Sequence, residues 1–196
     1  MPETERSKTR RRRRVITYGE VVAGARRQFL RDATIDMDVL AGELAVSRAT
    51  LYRVVHGRDR LLGDVLWGLA EPVWAEARAA TSVRGIDAIL EISHRFFDGV
   101  MGAQAFRRFV AAEPETALRV LLTPAGGVHE RAVALQREVF VEAIERDGAE
   151  LPRDLDNLAY LYVRIFESML YADILSDRDP SFAVAERAGR ALLTRS

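Results

Sequence analysis

The chain has 196 residues, 48% of them apolar, and 29 Lys and Arg balance 29 Asp and Glu. That is an ordinary globular composition, with enough apolar side chains for a sizeable core. It contains no cysteine, which excludes disulfides, thiolate metal sites and cysteine nucleophiles. No apolar run approaches the roughly 20 residues needed to span a bilayer. No apolar stretch of the signal-peptide kind follows the basic N-terminus, so the expected compartment is the cytoplasm.

The zero net charge conceals a division. Residues 1–62 hold 14 Lys and Arg against 8 Asp and Glu, a net of +6, and residues 63–196 hold 15 against 21, a net of −6. This pattern suits a head that faces nucleic acid on an acidic body that does not approach phosphate.

In chain order, residues 1–14 carry almost no apolar side chains and end in five arginines, Arg10–Arg14. Such a segment is expected to be disordered when free. It could be an arm that follows phosphates or enters a minor groove, or simply a solvated tail. Thr17 and Glu20 have capping-box spacing and open a helix with Val21, Val22, Ala25 and Phe29 on its apolar face. Asp36 caps a short helix carrying Met37, Leu40, Ala41 and Leu44. Ser47 caps a third, with Leu51, Val54 and Val55 inward, and His56-Gly57 ends it. A long helix is expected from about Arg58 to Ala80, kinked or broken at Pro72.

Helical spacing continues over Ile86–Met101, Gln104–Ala112 and Glu115–Leu122. Longer helices are expected over Pro124–Asp147 and Pro152–Ser176, and a last one opens at Asp179-Pro180. The prediction is an all-α chain of nine or ten helices without a fixed-period repeat. It has a disordered basic arm (1–14), a three-helix helix-turn-helix domain (15–62) and a helical effector-binding and dimerisation domain (63–196).

The second and third helices, joined by a turn of about three residues, form the helix-turn-helix near Asp36–Val55. In this motif the N-terminal residues of the third helix meet base edges in the major groove. Here those are Ser47, Arg48, Ala49 and Thr50. Arg48 can pair with guanine O6 and N7, Thr50 can bond a base or meet a thymine methyl, and Ala49 permits close approach. Ser47, Tyr52 and Arg53 have the chemistry of phosphate clamps.

The run Val46-Ser47-Arg48-Ala49-Thr50-Leu51-Tyr52-Arg53, followed by Arg58-Asp59-Arg60-Leu61-Leu62, resembles the TetR family of bacterial transcriptional regulators over about residues 15–66. The resemblance implies an N-terminal three-helix DNA-binding domain and a C-terminal helical domain that dimerises and binds a small effector. It also implies phosphate contacts at Tyr52, at Arg58 and near Thr17. The chain departs from the family pattern in three places. The link Arg31–Ile35 is short and lacks glycine and an aromatic, Ala45 stands where glycine is usual, and Val55 stands where phenylalanine is usual. The run Leu61-Leu62-Gly63-Asp64-Val65-Leu66-Trp67 further resembles a subgroup tied to degradation of lactone quorum signals.

The body is rich in aromatics, and such a helical domain suits a mostly apolar pocket with a few orienting polar groups. The candidate ligand-binding residues are Trp67, Trp74, Phe97, Phe109, Tyr160 and Phe166, with Ser93, His94, Gln104, Asn157 and Arg164 as polar candidates. The two long C-terminal helices are candidates for a four-helix dimer seam carrying Leu135, Val139, Ile144, Leu158, Leu161, Ile165 and Leu175.

No catalytic residue, metal or cofactor is expected. His94 and His129 are isolated, and no phosphate loop or nucleophilic-serine motif is present. The reading is a ligand-responsive regulator, a repressor that binds a pseudo-palindromic operator as a homodimer. The alternative is an all-α small-molecule sensor or scaffold that holds nucleic acid without sequence preference.

Overall fold

A computed structural model describes residues 16–194; the arginine-rich segment 1–14 lies outside the described residues. Eleven α-helices and no strand occur among them. The first three are α1 (Tyr18–Asp32), α2 (Met37–Glu43) and α3 (Arg48–Val55). Each starts on the cap its sequence provides. Thr17 Oγ1 accepts from the Glu20 N–H while Glu20 accepts from the Thr17 N–H, a closed capping box. The Asp36 carboxylate accepts from the N–H groups of Asp38 and Val39, which lowers its pKa. Ser47 Oγ accepts from the Thr50 N–H.

The apolar residues of these helices close a core in which Val21, Ala25, Phe29, Ile35, Leu40, Leu51 and Val55 are inaccessible to solvent. Burial on that scale stabilises by about 1.5–3 kcal/mol per large aliphatic side chain. Ala45, in the turn between α2 and α3, has φ +54°, a left-handed conformation that explains why glycine is favoured at this position.

The body comprises α4 (Arg58–Ala80), α5 (Gly85–Gly102), α6 (Gln104–Ala112), α7 (Pro114–Leu122), α8 (Val128–Asp147), α9 (Leu155–Leu170), α10 (Ala172–Ser176) and α11 (Phe182–Leu193). The count exceeds the nine or ten expected because the segment ending at Ser176 is two helices: α9 stops at Leu170, and α10 begins after Tyr171. α4 runs unbroken through Pro72, sacrificing the N–H bond to the Gly68 carbonyl.

Three starts differ from expectation: α11 begins at Phe182, after Ser181, rather than at Asp179-Pro180, and α9 and α8 are also displaced. The Asp154 carboxylate accepts from the Asn157 N–H, so α9 begins at Leu155 rather than at Pro152. α8 begins at Val128 rather than at Pro124, because residues 123–127 form a loop pressed against α4. A Cβ at Gly63 would lie 2.1 Å from the Gly126 carbonyl oxygen, and one at Gly126 would lie 2.2 Å from the Val120 carbonyl oxygen. Gly63 and Gly126 are therefore a backbone-to-backbone contact that no side chain fits.

Two apolar clusters result. One joins α1–α3 to the N-terminal half of α4 and to α6 and α7; the other joins the C-terminal half of α4 to α5, α8, α9 and α11. The first shares its core between the helix-turn-helix and the body, through contacts such as the edge-to-face pair Phe29–Phe109 at 5.6 Å. No described helix is long and apolar enough to cross a membrane.

Candidate nucleic-acid interface and effector cavity

The N-terminal turn of α3 is exposed at Ser47, Arg48 and Ala49, with Thr50 half-buried, and Tyr52 and Arg53 continue the exposed face. Leu51 and Val55 point the opposite way into the core, which fixes the orientation of α3. The Ser47 hydroxyl also lies 2.9 Å from Thr50 Oγ1, so both side chains are engaged in the cap. Arg48 reaches Asp38 of α2 at 2.9 Å and lies over the Tyr52 ring, 5.5 Å from its centroid. Both members of the Arg48–Asp38 pair are more than half exposed, so the pair is weak and exchangeable for a base or phosphate. Thr17 is exposed at the N-terminus of α1.

Arg58 is placed differently. Its guanidinium is half-buried, donating to the Ile35 carbonyl at 2.7 Å, to Thr34 Oγ1 at 3.0 Å and to both carboxylate oxygens of Glu113 at 2.9 Å. Burial acts to raise the Glu113 pKa, but hydrogen bonds from Thr34, Arg58 and Thr116 outweigh it and hold the carboxyl below its ordinary range. The Arg58 side chain thus ties the α1–α2 link and the start of α4 to the α6–α7 junction. A second tie is built on Asp64 of α4, which accepts from Tyr18 of α1 and from Arg131 of α8. Burial, then the Asp64 contact, raises the Tyr18 pKa to about 12.

Between these ties and the far end of the bundle lies a cavity of about 310 Å³, walled by α4, α5, α6, α8 and α9 with Phe29 and Leu30 of α1 at one side. Of the residues singled out from the sequence, Trp67, Trp74, Ser93, Phe97, Gln104 and Phe166 line it. Phe109, His94, Asn157, Tyr160 and Arg164 do not. Phe109 is fully buried against Phe29 in the shared core. His94 is exposed and stacks on Phe182 at 4.2 Å. Asn157 is exposed at the α9 cap, where its side chain donates to Asp154. Tyr160 is 44% exposed. Arg164 lies behind the wall, bonded to Glu167 at 3.1 Å and to the Leu122 carbonyl.

The wall contains polar residues that the sequence reading passed over. Gln136 sits on the apolar stripe of α8 with Val128, Ala132 and Leu135, and that interruption of the stripe was its only sequence signal. Glu167 is buried with His129 Nδ1 at 2.9 Å; desolvation pushes its pKa up, against the opposing pull of His129 and Arg164. Ser93, a candidate from the sequence, donates to the Ile89 carbonyl and lies 2.9 Å from the Tyr162 hydroxyl.

These features define a helix-turn-helix regulator with an internal cavity, and the comparisons agree. The family described as "Tetracyclin repressor-like, C-terminal domain" matches residues 84–194. A solved structure of the R. erythropolis transcriptional repressor QsdR, from the TetR family, superposes with a TM-score of 0.85. It is 27% identical, over 91% of this chain and 96% of that one. A search of curated protein sequences gives no match. The chain belongs to the TetR family, whose members bind DNA and small-molecule effectors as dimers.

Proposed function

We propose that the protein is a ligand-responsive transcriptional repressor of the cytoplasm, with residues 15–62 as the DNA-binding domain and 63–196 as the effector and dimerisation domain. It binds a pseudo-palindromic operator as a homodimer and leaves it when a small, mostly apolar effector fills the cavity. Arg48 and Thr50 read bases, with Ala49 allowing close approach. Ser47, Tyr52, Arg53 and Thr17 hold phosphates through side chains or helix N-termini. Arg58 contributes through the N-terminus of α4 and by positioning the head, since its guanidinium is engaged internally.

The observation that carries this reading is that one small set of helices serves both ends: α1 and α6 border the cavity, and they also pack directly on each other. An occupant that moves α6 or α4 therefore acts on the helix-turn-helix without an intermediary. It does so only by favouring one conformation over the other. Exposed Tyr160, Leu161 and Leu175 support a dimer seam on α9 and α10, whereas Val139 and Leu158 are buried in the protomer core.

Selection of bound duplexes from a random pool tests the reading. Two inverted half-sites centred one or more duplex turns apart are expected. Preference over random duplex should reach about 10³–10⁷. Equal affinity for every sequence would overturn it in favour of a sensor or scaffold that holds nucleic acid loosely.

A further inference from the structure

We infer that the cavity takes an uncharged amphiphile, an apolar body of roughly ten non-hydrogen atoms carrying a carbonyl-type acceptor that meets the indole N–H of Trp74 and the carboxamide of Gln136. The inference rests on the effector-cavity reading above and deepens it. The size follows from about 310 Å³ of space, at roughly 30 Å³ per water-sized group.

The chemistry follows from which polar groups of the wall are already satisfied. Trp74 is 9% exposed and Gln136 is 3% exposed, both line the cavity, and Trp74 Nε1 and Gln136 Nε2 are buried without a hydrogen-bond partner. An indole N–H only donates, so its partner has to be an acceptor. A donor left unpaired in apolar surroundings is costly, and an occupant that supplies the acceptor recovers that cost.

The remaining polar groups offer no competing anchor. The Ser93 hydroxyl proton goes to the Ile89 carbonyl, so the Tyr162 hydroxyl donates to Ser93. The Glu167 carboxylate faces the His129 ring nitrogen and the Arg164 guanidinium, which hold both of its oxygens. Arg131, over the Trp67 ring, is paired with Asp64. Glu71 and Gln104 are exposed, at the opening rather than at depth.

A cationic ligand would need an unpaired carboxylate, and an anionic one would need an unpaired guanidinium or ammonium. Neither lies inside the wall, and a buried unpaired charge is strongly disfavoured. A carboxylate ligand would moreover face Glu167. Neutral donors surrounded by apolar rings select a neutral acceptor.

Calorimetric titration of the full chain with four ten-carbon probes (decanamide, decanoate, decylammonium and decane) tests this. Decanamide should bind at least about tenfold more tightly than either ion. Trp74→Phe, which keeps a ring in place, should weaken decanamide by about five- to tenfold more than it weakens decane. Gln136→Leu should do the same. A cooperative thermal melt in both variants verifies that they keep the fold. An ion that binds as tightly as the amide, or an amide indifferent to Trp74→Phe, would overturn the inference while sparing the cavity. If none of the four binds, the effector-cavity reading falls with it.

Discussion

The head and the body of this molecule solve opposite problems. In α1–α3 every large apolar side chain on the inner face is withdrawn and, buried Gln28 apart, the polar face is left in water. The starts of these helices are held by bonds within a few residues: Thr17 with Glu20, Asp36 with Val39, Ser47 with Thr50. In the body, polar groups are taken inside and satisfied from far away in sequence, Ser93 by Tyr162 and His129 by Glu167. Two donors are left over at a cavity. A surface that meets phosphate needs exposed, locally supported groups, whereas a pocket that selects among small molecules needs buried ones in limited number.

The largest expected effect breaks the body without touching either site. Gly63→Ala places a methyl against the Gly126 backbone, which cannot rotate away. It should cost about 3 kcal/mol in urea unfolding. A loss below about 1 kcal/mol would show that the contact relaxes easily.

Arg58 and Arg48 form the sharpest test of the contrast, because the sequence presents both as DNA contacts, Arg48 through the helix-turn-helix motif and Arg58 through the family resemblance. Arg58→Ala removes bonds to Ile35, Thr34 and Glu113 and should cost about 2 kcal/mol of stability. Arg48→Ala breaks only an exposed pair, so stability should stay within about 0.5 kcal/mol. Its operator affinity should instead fall by about 1–3 kcal/mol, with relaxed preference at one base position. Chemical denaturation beside operator titration measures both, and the comparison fails if the two variants behave alike.

The Glu113 carboxyl gives a pH test. Its folded pKa lies below the ordinary value of 4.5, so its contribution is present above that pH and is lost as pH falls through the folded value. Glu113→Gln should therefore flatten the acid limb of the melting-temperature profile below about pH 4.5. An unchanged limb would assign acid sensitivity to other carboxylates.

The smallest effect is a gain. Ala45→Gly relieves a left-handed alanine in the helix-turn-helix turn and should add up to about 1 kcal/mol. A loss on thermal melting would mean that the Ala45 methyl makes packing contacts worth more than the strain.

The head was legible because its signals are local. Three caps, a period of 3.6 and a run of named residues lie within 40 positions, and α1, α2 and α3 begin where those caps stand. The body was legible as helices but not as a site. Trp67, Trp74 and Phe166 could be chosen for size, yet nothing in the neighbourhood of Phe109 distinguishes a core ring packed on Phe29 from one facing a ligand. Arg164 looked like an orienting group and proves to stand behind the wall, supporting Glu167. Nothing in the residues around Gly126 marks it as the place where the loop presses on α4.

The amino-acid sequence by itself determined the all-helical class, the helix-turn-helix and its exposed face, because each depends on interactions spanning about one helical turn. Only the tertiary structure decided that Arg58 binds inward, that α6 joins the cavity to the head, and that Trp74 and Gln136 are left without partners. Those facts depend on residues dozens of positions apart meeting in one packed interior, where every buried polar group either finds a partner or waits for one.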